Sequence, residues 1–202
     1  MIRLIVRVIV GLALAFSLTM SAILAQPRDD AAMRAFFAPP SGCSAPCFLG
    51  IRPGVTTYDQ ALAILQVQPW IDAIRNEADA LSWTWNGKQP SFVSDFDSNF
   101  LLARIDFQNG VVNTIRVPTT TRWADFYFLF GAPDRSVLYS GAAPSTHFRI
   151  YDAAYFNPGF EIQTTLRCPI NSREAAWYST VFITWPVIGP VLTAPPDTFL
   201  RC

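Results

Sequence analysis

One histidine, four cysteines and a pair of closely spaced aspartates are the residues of this 202-residue chain whose types could do chemistry. His147 stands at the start of an alternating segment and reads as a strand residue on a wet face. A general base needs an oriented nucleophile beside it, and no Gly-x-Ser-x-Gly elbow occurs to supply one. Asp95 and Asp97 flank Phe96. A glycosidase works through two carboxylates across a scissile bond, but the stretch from Ser94 to Asn99 reads first as a polar loop. Zinc needs three or four ligands brought together, and phosphate-cradling glycine loops and a His-Glu-x-x-His helix are missing. The expectation is a protein that is not an enzyme, with no catalytic residue, no cofactor and no metal. The alternative from another class is a small secreted hydrolase using Asp95 or Asp97 beside a tryptophan platform.

The cysteines are Cys43, Cys47, Cys168 and Cys202. An even count in an oxidising compartment means two disulfides, and four cysteines allow three connectivities. The favoured pairing is Cys43–Cys47, closing a tight loop over Ser44-Ala45-Pro46, with Cys168–Cys202 tying down the C-terminal tail. The crossed pairings would staple the N-terminal segment to the C-terminal half instead. A redox role for Cys43 and Cys47 lacks the usual two-residue spacing, and nothing nearby lowers a thiol pKa.

The compartment is read from the first residues. Arg3 and Arg7 precede an apolar run from Val8 to Met20, and small residues lead to Ala25 before Gln26-Pro27. A basic start, a short apolar core and a small exit residue make a secretory signal peptide over residues 1–25. Left uncleaved, Ile2 to Leu24 is about long enough to span a bilayer as an anchor. No cysteine stands at the exit of the run to be acylated. The expected localisation is secreted or extracytoplasmic, at the cell envelope.

Formal charge is zero, with 15% of residues charged, 14% aromatic and 51% apolar. That composition excludes disorder and requires a well-filled core. It also excludes nucleic acid as a partner, because no basic stripe exists to neutralise phosphates.

Arg28 to Phe37 reads as a short helix stopped by Pro39-Pro40, and residues 26–50 form an N-terminal helix and cysteine loop. Thr57 with Gln60 three residues on is a capping box, and Ala61, Leu62, Ile64 and Leu65 give the helix a buried face. Trp70 to Ala80 is expected to be a second, weaker helix. The period then changes to alternation at Leu81 to Asn86. Leu101, Ala103, Ile105 and Phe107 lie on one face of the next strand, with Arg104, Asp106 and Gln108 on the other. Asn109-Gly110 reverses the chain into Val111 to Val117, with Ile115 and Val117 inward, making a meander with one buried and one wet face.

The order then recurs. Thr121 caps a helical stretch through Leu129, and strands follow at Thr146 to Ile150, Phe160 to Leu166 and Ser179 to Trp185. An offset of roughly 64 residues superposes Thr121 on Thr57 and Pro133 on Pro69, suggesting two related units, 51–118 and 119–202. The fold class expected is α+β, helices packed on antiparallel sheet.

Gly54-Val55-Thr56-Thr57 through Leu65 to Pro69 resembles the signature of outer-membrane assembly lipoproteins of the BamE/SmpA type. Phe128 to Pro133 is similar to the end of that signature, and Asn109 to Val112 to its hairpin. Two such units in tandem, secreted and with two disulfides, resemble the β-lactamase inhibitor protein architecture. Gln66 replaces an expected glycine, and the lipidated cysteine is missing. The leader from Cys43 to Gly54 resembles that of uncharacterised secreted bacterial proteins. The resemblance implies a fold, and fold does not imply function.

Trp83 and Trp85 share one face of a strand. They either fill the space between sheet and helices or line an exposed sheet as anchors for a partner. Tyr151, Tyr155 and Phe156 are expected in a loop or strand edge, and the two tyrosines with Trp83 and Trp85 make the candidate binding surface. The functional expectation is a non-catalytic extracytoplasmic binding protein whose partner is another protein or an envelope component. The alternative is a structural or assembly factor, in contact with membrane only if the N-terminal segment is uncleaved.

Overall fold

The computed structural model describes residues 2–24, 31–94, 102–143, 146–157, 159–168 and 179–186. The chain divides into two compact units, Met1–Ala31 and Ala32–Cys202. The first unit is built on helix α1, Ile2–Leu24. Its apolar side chains are exposed on several sides, among them Leu12, Phe16 and Leu18. Among the described residues no helix is long and apolar enough to cross a membrane.

In the second unit the local signals for helices hold where the caps are local. Helix α2 spans Ala31–Phe37, and residues 28–30 of its expected start lie outside the described residues. Helix α3 spans Tyr58–Gln66 behind Thr57, whose backbone N–H donates to Gln60 Oε1 at 3.0 Å, and Ala61 and Leu65 are its buried residues. The segment before α3 is fixed by backbone bonds from Gly54 to the Val112 carbonyl (2.7 Å) and from Val112 to the Thr56 carbonyl (2.9 Å).

Among the described residues eight strands then form one antiparallel sheet. They are β1 (Ile71–Glu77), β2 (Ala80–Trp85), β3 (Ala103–Gln108), β4 (Val111–Arg122), β5 (Arg135–Ala143), β6 (Thr146–Tyr155), β7 (Phe160–Arg167) and β8 (Thr180–Pro186), with helix α4 (Trp123–Phe130) between β4 and β5. The spatial order β1-β2-β3-β4-β8-β7-β6-β5 makes two four-stranded meanders that meet where β4 pairs with β8. The β3–β4 hairpin turns at Asn109 and Gly110, both with positive φ.

Two expectations are corrected. Residues 71–77 form β1, not a second helix: Ile71 pairs with Trp85 and Ile74 with Trp83, and a bulge lies between them. The i, i+3 spacing of the two isoleucines imitates a helix, and the bulge restores both to one edge strand. Thr121 does not cap α4, because β4 runs through it and buries it to 5% exposure. The cap is Arg122, whose backbone N–H donates to Asp125 Oδ2 at 3.0 Å. The Thr57/Thr121 superposition is therefore one residue out of step with the caps. Strand β5 is an addition, occupying a stretch the sequence left unassigned.

The core lies on one face of the sheet and is largely aromatic. Phe37 of α2 meets Phe126 (5.5 Å), Phe130 (5.4 Å), Phe160 (4.5 Å) and Trp185 (6.0 Å), so one ring touches α4, β7 and β8. Phe48, beyond the cysteine loop, lies 4.5 Å from Trp185 and 6.5 Å from Trp83. Centroid distances of this size are those of edge-to-face and offset pairs, worth about 0.5–1.5 kcal/mol each beyond area burial. Arg34 of α2 donates to the Leu129 carbonyl (3.1 Å), occupying an acceptor left open at the end of α4.

The Cys43–Cys47 disulfide forms as expected, with Cα atoms 6.1 Å apart. Cys168 is also disulfide-bonded, and its expected partner Cys202 lies outside the described residues.

Candidate binding surface

The aromatic residues singled out in the sequence are not a surface. Trp83 is 1% exposed, Trp85 7%, Tyr151 8% and Tyr155 3%. The two tryptophans pack edge to face at 5.7 Å and form the wall of the core under Phe48. Their indole nitrogens find no acceptor among the described residues, which fits rings held by packing alone. Tyr151 and Tyr155 belong to β6, an interior strand between β5 and β7, and not to a loop or an edge. Unforeseen β5 is what makes β6 interior. Burial raises the Tyr151 hydroxyl pKa, and burial followed by nearby Tyr151 raises that of Tyr155, so both stay neutral phenols. Phe156 alone of that group is exposed.

The chemical candidates are dispersed. Asp95 and Asp97 lie outside the described residues, and His147 stands in β6 opposite Ala142. Among the described residues, no three or more of His, Cys, Asp and Glu are grouped to hold a metal ion.

What the fold does assemble is a polar row across the sheet face opposite the core. Because successive side chains alternate between faces, residues in register share one side. Arg75 lies opposite Ser82, Ser82 opposite Arg104, and Arg104 opposite Arg116. The row continues through Thr184 and Glu161 to Ala154 and Arg135. The neighbouring row on the other side of the pleat, Leu81-Ile105-Ile115-Trp185, is fully buried.

The charges are ordered most closely over β1–β4. Arg104 Nη1 lies 2.8 Å from Glu77 Oε2, and Arg104 Nε bonds Asp106. The side chains of Arg104, Glu77 and Asp106 are 40%, 45% and 35% exposed. The hydrogen bond to Asp106 raises the Arg104 pKa, burial opposes it, and the charges of Asp106 and Glu77 add to the rise. Ser82 is buried beneath this cluster and donates to Glu77 Oε1 (3.4 Å). Arg75 and Arg116, on either side of it, are exposed. Like charges directly opposite on neighbouring strands are unfavourable, and the two carboxylates offset that for Arg104 against Arg116. The result is a guanidinium held still between two others that face water.

On the other half of the face Glu161 is half-buried on β7, near Asp152 of β6 and Arg135 of β5. Burial raises its pKa, the Asp152 charge adds to the rise, and Arg135 opposes both. A carboxyl whose pKa is higher folded than unfolded stabilises the fold at low pH. That contribution is lost as pH rises from the ordinary carboxyl value through the folded pKa. Glu161→Gln is therefore expected to raise the urea midpoint at neutral pH and leave it unchanged near pH 3, as checked by paired unfolding curves.

The polar row was half visible in the sequence, since the alternation of β3 puts Arg104 and Asp106 on the wet face. Glu77 and Arg75 were hidden because their strand imitates a helix, and Arg116 because register is a property of pairing. Comparison of the chain with protein-family models, with curated proteins and with solved structures finds no match in any of the three.

Proposed function

We propose that this chain is a non-catalytic extracytoplasmic binding protein that docks a partner on the polar sheet face over β1–β4. The partner is a protein, or another component of the cell envelope, that presents carboxylates or other anionic groups to Arg75 and Arg116. One observation carries the reading: an arginine braced by Glu77 and Asp106 between two exposed arginines on a rigid sheet. Side chains held before binding lose less freedom when a partner arrives, and charges at a rim speed encounter and select the partner. The basic start of α1, its exposed apolar side chains and the disulfide support export to an oxidising compartment. In this reading α1 is the export signal and is removed.

The test places a photo-crosslinking residue at 114 or 184 in the exported protein, on the strand face of Arg116, with a control at exposed Asp59 on α3. Crosslinked species from positions 114 and 184, lost on Arg75→Glu with Arg116→Glu and absent at 59, are the expected result. No crosslink at either sheet position, or equal crosslinking at 59, contradicts it.

A further inference from the structure

Among the described residues the sheet is open and ends in two edge strands, β1 and β5, and the two edges are built differently. An edge strand carries a row of unpaired backbone donors and acceptors, and natural proteins block it with charge, bulges or irregular pairing. Strand β1 is blocked: Asp72, Arg75 and Glu77 are three charges in seven residues, and a bulge interrupts its pairing. Strand β5 is not. It pairs with β6 at every one of its nine residues without a register shift. After Arg135 at its start, it has no charged residue through Ala143. Among the described residues no strand pairs with its outer side.

We infer that β5 is a self-association edge, on which a second copy of this chain pairs antiparallel, β5 to β5, about a two-fold axis. An antiparallel two-fold brings a strand against its own inverted copy, so the interface is self-complementary. With the two-fold near the middle of the strand, neither Arg135 faces the other. Ser140, Gly141, Ala142 and Ala143 are small enough in type to let two backbones approach. Without Arg3 and Arg7 of the removed signal the formal charge is −2, too small for net repulsion to oppose two copies meeting. Joining one strand to its copy buries on the order of 1,000 Å², which belongs to weak, reversible association in the micromolar range. The two sheets then run on as one continuous antiparallel sheet across the axis. Association at β5 leaves the polar row over β1–β4 at the far ends of the joined sheet, so this inference stands apart from the docking proposal.

Sedimentation velocity of the purified protein from ~1 to ~200 µM reads the association directly. A monomer that becomes a dimer across this range is expected. Val137 falls on the polar face in register with Asp152, so Val137→Lys charges the edge without entering the core. That variant is expected to stay monomeric at every concentration, while Ala73→Lys on β1 dimerises like the parent. Backbone amide exchange gives a second readout that needs no variant: β5 amides slow as concentration rises and β1 amides do not. A monomer throughout, a dimer indifferent to Val137→Lys, or concentration-dependent protection at β1 instead of β5 overturns the inference. An extended segment of another protein, rather than a second copy, would show as β5 protection only when that protein is added.

Discussion

Replacing Trp185 by alanine is expected to remove about 3–5 kcal/mol of stability, the range for truncating a buried tryptophan. The ring is 1% exposed and stands opposite Ile115 where the two four-stranded halves of the sheet join. It meets Phe36 at 6.4 Å, Phe37 at 6.0 Å, Phe48 at 4.5 Å and Phe160 at 6.4 Å. Those four rings come from α2, the turn after the cysteine loop, and β7. Truncation therefore opens a cavity bordered by three separate pieces of chain, none of which can collapse without moving the others. Whole domains are stable by about 5–15 kcal/mol, so the loss is a large fraction of the total. Urea unfolding should show a lower midpoint with an unchanged slope. Phe128→Ala, at a ring 62% exposed, is the matched control and should change stability by no more than about 0.5 kcal/mol.

Gly159→Ala is expected to cost about 2–4 kcal/mol, and more than the same substitution at Gly87. Both glycines have positive φ, +86° and +82°, so each pays the left-handed penalty of about 1–2 kcal/mol on gaining a side chain. A Cβ at Gly87 meets nothing within 4 Å, whereas one at Gly159 lies 3.0 Å from Pro46 Cα, 3.1 Å from Ala45 Cβ and 3.2 Å from Pro46 N. Two of those three atoms are backbone and cannot rotate away. Overpacking of this kind adds about 1–3 kcal/mol. The contact means that the disulfide-closed loop of residues 43–47 sits directly on the turn between β6 and β7. It follows that the excess cost at Gly159 depends on the loop being held. In a Cys43→Ser, Cys47→Ser background the Gly159→Ala penalty should fall toward that of Gly87→Ala, as a double-mutant cycle by urea unfolding would measure.

These two sites also show which parts of the structure were legible in the sequence. Helix α3 was, because its capping box and apolar spacing act within a few residues. The β3–β4 hairpin was, because Asn109-Gly110 admits the positive φ that the turn requires. Strand β1 was not, since a bulge breaks the alternation that would have revealed it. Strand β5 was not, because Ser, Gly and Ala carry little strand preference and its nine pairs with β6 supply the order. The tryptophans could be placed on one face from their spacing, but the residues that cover them, Phe48 above all, are distant in sequence. Tyr151 and Tyr155 were expected at an edge for the same reason: β5, which encloses them, had no local signal.

The same logic locates the candidate surface. Alternation marks one side of a strand as polar, yet only register decides which polar residues become neighbours. Arg75, Arg104 and Arg116 are separated widely along the chain and lie in one row because β1 to β4 pair as they do.

The central claim is that the aromatic face of this sheet is closed and the polar face over β1–β4 is where a partner docks. Hydroxyl-radical footprinting of the protein, alone and with whatever partner the crosslinking captures, tests that claim most directly. The account predicts that residues on the polar face, Arg116 and Thr184 among them, lose reactivity when the partner is present, while Phe128 and Tyr127 on α4 react as before. Protection confined to α4, or reactive Trp83 and Trp85 in the free protein that become protected on addition of partner, would contradict it.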